Sequence, residues 1–215
     1  MKSLKILFLQ GGWEGHKPEQ IVQKFQSALE QRGCRTESIT SLECLADTVW
    51  LQTFDVISPC WTCGRLATEE SKGLRDAVHA GVGLGGIHGG MGDAFRGDLD
   101  YEWMVGGHFV GHPHVGDYTV RVTRCADPIM QGLPPEFSYK SEQYYMLMDP
   151  AVRVLAESDY SFEDSTCTMP VVWTKHWGKG RVFYSALGHD PVEFERYPEV
   201  FQMSLKGILW AGRAL

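Results

Sequence analysis

The sequence predicts an α/β fold with a doubly wound, mostly parallel sheet that carries helices on both faces. Continuous apolar runs such as residues 4–9 are typical of strands buried on both faces, as in parallel sheets. These runs alternate with helical periodicity in the order strand, helix, strand, helix, strand, which indicates doubly wound units. Because 215 residues suit one domain of this class, residues 1–215 are expected to form a single domain.

Each element of this prediction has a local signal. Apolar runs and period-two alternation predict strands at residues 4–9, 34–39, 54–58, 81–88, 118–123, 152–156, 170–174 and 181–187. Helical periodicity and helix-start signals predict helices that begin at Pro18, at Thr68 as the capping residue, and near Pro198. Pro59 is expected to close the third strand.

Two long segments break this regularity. Residues 89–117 are rich in glycine and residues 127–150 are rich in turn-forming residues, so both segments are expected to be mostly loop. Residues 178–180 form a glycine-bounded turn, which predicts that the strands on either side pair as a hairpin or meander. The chain contains no internal repeat, linker or low-complexity segment.

The charge balance argues against two classes of partner. The chain has 20 basic and 27 acidic side chains, a formal net charge of −7 and no basic block, so nucleic acid and membrane surfaces are not expected as partners. The apolar run at residues 6–9 is too short for a signal peptide, and a cytoplasmic protein is expected. In that compartment the six cysteines, Cys60 and Cys63 included, are expected to be free thiols.

The most informative stretch is the glycine-rich segment at residues 81–90, which contains a Gly-x-His-x-Gly motif centred on His88. Strand-to-helix turns that lift one side chain above a sheet need small residues two positions on either side, here Gly86 and Gly90. Hydrolases place Ser or Cys at such a centre, whereas an imidazole moves protons or binds metals and is a poor acyl acceptor. The alternative is that the glycines only allow close packing and that His88 is a buried core residue.

Polar residues that follow the predicted strands are expected to converge at one rim, because ligands bind outside the carboxyl ends of strands in an open parallel sheet. His88 and His189 are the candidates for proton transfer near neutral pH, since both follow predicted strands. Glu142 and Asp190 are candidate assisting acids or bases. Glu142 is equally consistent with an exposed loop carboxylate, and Asp190 with a cap before Pro191.

Aromatic residues in the predicted loops are candidates for stacking on the apolar face of a sugar. They are Trp13, Trp61, Tyr144 and Tyr145. The alternative is that these rings fill the edges of the core.

The spacing of His108, His112 and His114 raises a metal-binding interpretation. In a helix His108 and His112 would share a face, but the glycines and the proline among them argue against a helix. A loop could still bring one of them beside other histidines, and His88, His112 and His189 form the alternative metal set. A divalent ion is the one cofactor that the sequence leaves open, and no motif requires it.

A set of short motifs spans nearly the whole chain. They are KILFLQGG at 5–12, GH at 15–16, GIHGG at 86–90, GGHF at 106–109, HP at 112–113, DPI at 127–129, GLP at 132–134, EQYY at 142–145, GKGRVFY at 178–184, LGHD at 187–190 and GILWA at 207–211. In this order they resemble the trehalose-utilisation (ThuA-like) family, within the class I glutamine amidotransferase-like superfamily.

The resemblance implies a flavodoxin-like sheet and a role in the use of trehalose and other disaccharides, including oxidised (3-keto) sugars. It places His88 where amidotransferases carry the catalytic Cys and His189 where they carry the catalytic His, so glutaminase chemistry is not expected. The segments that carry the resemblance add His16, His108 and His112 as candidate substrate-binding residues.

Three functions follow from these residues. The first is an enzyme of sugar catabolism, an isomerase, lyase or hydrolase, in which His88 and His189 perform acid/base chemistry on a keto-sugar or keto-glycoside without a Cys nucleophile. The second is a non-catalytic module that binds a sugar or a partner on an amidotransferase-like scaffold. The third is a metal-dependent hydrolase that uses a histidine cluster. The expected partner is a small-molecule sugar, and a homo-oligomer is left open.

Overall fold

The computed structural model describes residues 3–215 and contains a mixed sheet of nine strands. The strands are β1 Lys5–Gly12, β2 Arg35–Ile39, β3 Val56–Thr62, β4 Gly83–Ile87, β5 Gly107–Val122, β6 Glu136–Met148, β7 Arg153–Phe162, β8 Ser165–Trp177 and β9 Gly180–Ser185. The helices are α1 Pro18–Glu30, α2 Thr48–Leu51, α3 Thr68–Ala80, α4 His88–Gly92, α5 Leu99–Val105, α6 Glu193–Arg196 and α7 Pro198–Ala211. Short 3₁₀ turns lie at Glu14–His16 and Glu43–Ala46.

The strand order is β2-β1-β3-β4-β9-β8-β7-β5-β6, and the direction of pairing changes in the middle of the sheet. Strands β2, β1, β3, β4 and β9 pair in parallel, whereas β8, β7, β5 and β6 continue the sheet with antiparallel pairings. These antiparallel strands are the longest, with 10 to 16 residues each. The prediction of a doubly wound, mostly parallel, flavodoxin-like sheet is therefore wrong, because most of the strand length is antiparallel.

The error arose because two segments predicted as loop form the longest hairpin of the sheet. Strands β5 and β6 pair from residues 107 and 148 at one end to 121 and 136 at the other. The glycine and proline that suggested a loop, Gly111 and Pro113, lie where the register shifts between Phe109 and His114. Bulges accommodate residues that regular strands exclude, so local propensity alone underestimates such a strand.

Alternate side chains of the parallel strands face two hydrophobic cores. Leu7 and Leu9 of β1 lie in one core with residues of α3, while Ile6 and Phe8 lie in the other with residues of α1 and α7. All four are buried, and burying one such side chain contributes about 1.5–3 kcal/mol. This half of the sheet is therefore covered on both faces and holds the turns at its carboxyl edge in place.

The last helix and the last hairpin are confirmed. Helix α7 begins at Pro198, as predicted, and a Cβ on its Gly207 would lie 2.3 Å from the ring of Phe183, so only glycine allows the helix to lie this close to the sheet. Strands β8 and β9 pair antiparallel across the turn, from Trp177 opposite Gly180.

Two local predictions need correction. Pro59 does not close β3, which continues to Thr62. The pairing between β3 and β4 ends at Ile57, so no residue of β4 lies opposite Pro59 and needs a hydrogen bond from the N–H that proline lacks. Thr68 does not cap α3, because Ala67 is the N-cap and its backbone N–H donates to the Glu70 carboxylate at 2.7 Å. Within the described part of the chain, no helix is long and apolar enough to cross a membrane.

Candidate functional site

Three imidazole rings meet at the carboxyl edge of the parallel strands. The turn after β1 carries His16, the first residue of α4 is His88, and the loop after β9 carries His189. The ring centroids of His16 lie 5.0 Å from those of both His88 and His189, and the last two rings are 5.2 Å apart. The two rings expected to meet are thus neighbours, and His16, expected only as a substrate-binding residue, contacts both.

The backbone at the strand-to-helix turn holds His88 in one position. Its φ of 44° lies in the left-handed region, which residues other than glycine rarely adopt. A Cβ on Gly86 would lie 2.8 Å from the Cβ of Met91, and a Cβ on Gly90 would lie 2.9 Å from the Cα of Cys60. Both glycines are therefore required by close contacts, as the motif predicts.

Glu142 of β6 reaches the three rings from the antiparallel half of the sheet. Its Oε2 lies 3.3 Å from Nε2 of His88, and its Oε1 lies 3.4 Å from Nε2 of His189. One ligand atom from each of His16, His88, His189 and Glu142 lies within 4.8 Å of all the others. These four side chains are called the histidine–glutamate cluster below.

The environment lowers the pKa of three of the four side chains in the cluster. Burial, followed by the charges of His88 and His189, lowers the pKa of His16 to about 3. Burial and the charge of His88 also lower the pKa of His189. Burial alone would raise the pKa of Glu142, but the hydrogen bond and charge of His88 and the charges of the other imidazoles outweigh it and lower the pKa to about 2.

Hydrogen bonds behind the cluster determine which ring atoms face its centre. His88 Nδ1 lies 2.8 Å from the carbonyl oxygen of Ala186, which can only accept, so Nδ1 carries a proton and Nε2 faces Glu142. His16 binds Thr62 Oγ1 through Nδ1 at 2.7 Å, which leaves its Nε2 available. A tetrahedral ion with bonds of about 2.0–2.1 Å separates its ligand atoms by about 3.3–3.4 Å, and the ligand atoms of the cluster lie within 4.8 Å of one another.

Three further candidates from the sequence line the same site. The ring of Tyr144 stacks on His88 with centroids 4.0 Å apart. Trp13 packs edge to face on His16 at 4.7 Å and is 54% exposed. His112 Nε2 lies 3.6 Å from the carboxylate of the cluster, and its side chain is 39% exposed. One side of the cluster is therefore open to solvent and walled by aromatic rings.

Asp190 lies outside the cluster and connects two of its loops. Its carboxylate accepts a hydrogen bond from Lys17 Nζ at 2.6 Å. Burial would raise the pKa of Asp190, but the hydrogen bond from Lys17 lowers it. Because Lys17 follows His16 and Asp190 follows His189, this ion pair holds the two histidine-bearing loops together.

The metal set suggested by the sequence differs from the observed cluster. His112 stands at the rim, and His16 and Glu142 complete the group instead. His108 Nδ1 pairs with Glu102 at 3.1 Å, and His114 donates to a backbone carbonyl, so the run of histidines on β5 forms no common site.

Two candidate aromatic residues do not reach the cluster. Trp61 belongs to β3 and packs against the hydrophobic core with its side chain half-buried. Tyr145 makes its ring contact with Tyr160 of β7, 5.1 Å away, rather than with an imidazole.

A cavity of about 670 Å³ is lined by no residue of the cluster, and in part by Arg65, Arg75 and Arg96. Arg96 lies over the ring of Phe109 at 5.7 Å, and Phe109 contacts Tyr144 at 4.5 Å. One residue of the cavity lining is therefore linked to the cluster through two aromatic rings.

Sequence reasoning missed the residues that hold the cluster in place. Glu193 is 8% exposed, and its carboxylate accepts hydrogen bonds from Tyr139 and Ser141 at 2.7 Å and from the backbone N–H of His189 at 3.1 Å. Its side-chain partners lie 52 and 54 positions away, so no local pattern could reveal it. Thr62 could have been found by continuing the alternation of β3 past the proline.

The chain matches the family model described as trehalose utilisation over residues 5–211. It is similar in structure to a ThuA-like protein from Bacteroides uniformis ATCC 8492, with 19% identity, a TM-score of 0.78 and coverage of 99% of this chain and 93% of that chain. A ThuA-like protein from Parabacteroides merdae ATCC 43184 gives 16% identity, a TM-score of 0.76 and coverage of 98% and 90%. A protein from Salmonella typhimurium LT2 that is described as cytoplasmic has 13% sequence identity and a TM-score of 0.63, with coverage of 98% of both chains. No curated protein matches the chain.

At these identities the structural similarities establish the fold alone. The description of the family, trehalose utilisation, suggests a sugar-related role. Because the family model covers nearly all of the chain, from residue 5 to residue 211, this protein belongs to the ThuA (trehalose utilisation) family.

Proposed function

We propose that this protein is a metal-assisted enzyme of sugar metabolism that acts on a keto-sugar or keto-glycoside. In this proposal His16, His88, His189 and Glu142 hold one divalent ion. The observation that carries the proposal is the convergence of four ligand atoms within 4.8 Å. Three imidazole nitrogens and one carboxylate oxygen form a donor set suited to Zn²⁺, Fe²⁺ and related ions.

The protonation of the cluster supports a bound ion. Ligands must be deprotonated to bind a metal, and the lowered pKa values of His16, His189 and Glu142 meet this condition at neutral pH. The partners of the outer ring nitrogens, Thr62 and the carbonyl of Ala186, orient the rings as partners behind metal ligands do.

The acid/base work falls to groups that are not ligands. A bound ion would polarise a carbonyl or hydroxyl oxygen of the substrate. His112 lies at the open side of the cluster, 3.6 Å from Glu142, and can act as the base toward a substrate there. A carbon next to a carbonyl is acidic enough for one positioned base to remove its proton, so isomerisation or elimination needs no nucleophile.

The surroundings of the cluster support a sugar as the substrate. The half-exposed ring of Trp13 offers an apolar surface on which a sugar ring can stack. In this proposal the second unit of a disaccharide extends toward the cavity that Arg96 lines, and Arg96 is linked to the cluster through Phe109 and Tyr144.

In the metal-free form of this proposal, His88 and His189 exchange protons with the substrate directly. The lowered pKa of His189 makes it a weaker base at neutral pH, which favours a ligand role for this ring. Removal of divalent ions should abolish activity if the enzyme is metal-assisted and should leave activity unchanged if His88 and His189 act without a metal.

The metal site is tested by calorimetry on protein stripped with EDTA and titrated with Zn²⁺ or Mn²⁺. We expect one ion per chain, and Glu142→Gln should weaken binding by at least about 10- to 100-fold, the loss known for groups that only support a ligand. Glu102→Gln is the matched control, because Glu102 also pairs with a histidine but lies outside the cluster. Equal affinity for Glu142→Gln and wild type, or no binding by wild type, would contradict the metal site.

The reaction is tested with metal-loaded protein, 3-keto-trehalose and trehalose in D₂O, followed by NMR. We expect hydrogen exchange next to the carbonyl, or a new product, from the keto-sugar alone. His112→Ala should lower kcat by about 10²- to 10⁴-fold, as for loss of a general base. Tight binding of either sugar without exchange or product would instead identify a non-catalytic sugar-binding module.

A further inference from the structure

The hydroxyl group of Tyr144 makes no hydrogen bond within the described part of the chain. The residue is 4% exposed, and its ring lies on His88 with an interplanar angle of 30°. The fully buried unsatisfied atoms among residues 3–215 are Asp149 Oδ2 and Tyr160 Oη, so solvent reaches the hydroxyl of Tyr144. The hydroxyls of Tyr101 and Tyr184 in the same core each donate to a backbone carbonyl at 3.1 Å. The hydroxyl of Tyr144 is therefore free to bind a group from outside the chain.

The hydroxyl of Tyr144 points toward the edge of the histidine–glutamate cluster. A Cβ on Gly89 would lie 2.9 Å from this hydroxyl and 2.4 Å from Cε1 of His16, so the two groups approach the same point from different sides. A tyrosine hydroxyl carries its proton at neutral pH and can donate one hydrogen bond.

We propose that Tyr144 is a catalytic residue whose hydroxyl donates a hydrogen bond to the carbonyl oxygen of a keto-sugar as negative charge develops on that oxygen. This inference rests on the function proposed above and names the group that recognises the carbonyl. It restricts the substrate class to sugars with a ketone or aldehyde group, because an ordinary glycoside develops no such oxyanion.

The step balances without an oxidant or a reductant. The base removes a proton from the carbon next to the carbonyl, and the electron pair of that C–H bond forms a C=C bond. The π pair of the carbonyl moves onto its oxygen, where the Tyr144 hydroxyl stabilises the charge. Protonation of the former carbonyl carbon, with the hydroxyl proton of the carbon that lost its proton passing to the enolate oxygen, completes an isomerisation. In an elimination the enolate re-forms the C=O bond, the C=C bond shifts by one position, and the leaving group departs from the next carbon with its electron pair.

The test compares Tyr144→Phe with wild type, both loaded with Zn²⁺. The variant loses only a hydroxyl that makes no hydrogen bond among the described residues, so its fold and its stacking on His88 should persist. We expect kcat on 3-keto-trehalose to fall by about 10²-fold, as for the loss of one oxyanion donor, with KM nearly unchanged. Tyr145→Phe is the control, since the neighbouring ring contacts Tyr160 instead.

A binding measurement keeps the test independent of turnover. Acetohydroxamate is a metal-binding anion whose oxygens resemble an enediolate, and loss of one hydrogen bond should weaken its binding to Tyr144→Phe by about tenfold. Equal Kd values for the two proteins, or no binding by metal-loaded wild type, would overturn the inference about Tyr144. Zinc stoichiometry in the same samples reports on the cluster separately, so a failure of the metal site is distinguishable from a failure of this residue.

Discussion

The buried ring of His16 should make the metal-free protein sensitive to mild acid. Its pKa is lowered from 6.5 to about 3 in the folded protein, mainly by burial, while in the unfolded chain the pKa returns to about 6.5. Between these two values the unfolded state binds a proton that the folded state does not. Stability therefore falls as the pH falls, and rises again with increasing pH up to about 6.5.

The size of this effect follows from the shift. Each pH unit inside the window changes the free energy of unfolding by about 1.4 kcal/mol, so lowering the pH from 7 to 5 costs about 2 kcal/mol. This is a large part of the total of about 5–15 kcal/mol that holds a typical domain folded. The loss of stability caused by His16 stops growing below about pH 3, where the ring is protonated in the folded protein as well.

The assay is urea unfolding followed by tryptophan fluorescence at pH 7, 6 and 5 in the presence of EDTA. Between pH 7 and pH 5 the free energy of unfolding of His16→Gln should fall by about 2 kcal/mol less than that of wild type. His176→Gln, which replaces an exposed histidine, should follow wild type. If the free energy of unfolding of His16→Gln falls with pH in parallel with that of wild type, burial of His16 is not the source of acid sensitivity.

Two further predictions concern the strand-to-helix turn and the open side of the site. Gly90→Ala should lower the free energy of unfolding by about 1–3 kcal/mol, because the new Cβ would lie 2.9 Å from the Cα of Cys60. The control is Gly111→Ala, whose new Cβ would have Pro113 at 3.8 Å as its nearest contact and which should melt at the temperature of wild type. Equal melting temperatures of the two variants would contradict the packing argument. Trp13→Ala should raise KM for the keto-sugar by up to about tenfold, with kcat and zinc stoichiometry unchanged; a fall in kcat at constant KM would argue against stacking.

The histidines of the cluster could be located from the sequence because they follow apolar strands. The carboxyl ends of parallel strands share one edge, so His88 and His189 were expected together without any knowledge of the distance between them. Glu142 is only one of the candidate acids or bases in the sequence, because its strand is predicted as loop. No local signal indicates that β6 passes beside the cluster. The partners of Glu142 lie 47 to 54 positions away along the chain, at His189 and His88. Long-range antiparallel pairing is invisible to a reading that relies on local periodicity.

The antiparallel half of the sheet is part of the site because alternate residues of β6 face two different partners. Glu142 and Tyr144 face the imidazoles, whereas Tyr139 and Ser141 bind the buried carboxylate of Glu193. A slip of β6 by one residue would exchange the two faces and turn the carboxylate away from the rings. Because Glu193 also accepts the backbone N–H of the third histidine, at 3.1 Å, one buried carboxylate ties the register of this strand to the loop after β9. The cluster can therefore form only when both halves of the sheet are in register, which explains how a site drawn from distant parts of the chain reaches one defined geometry.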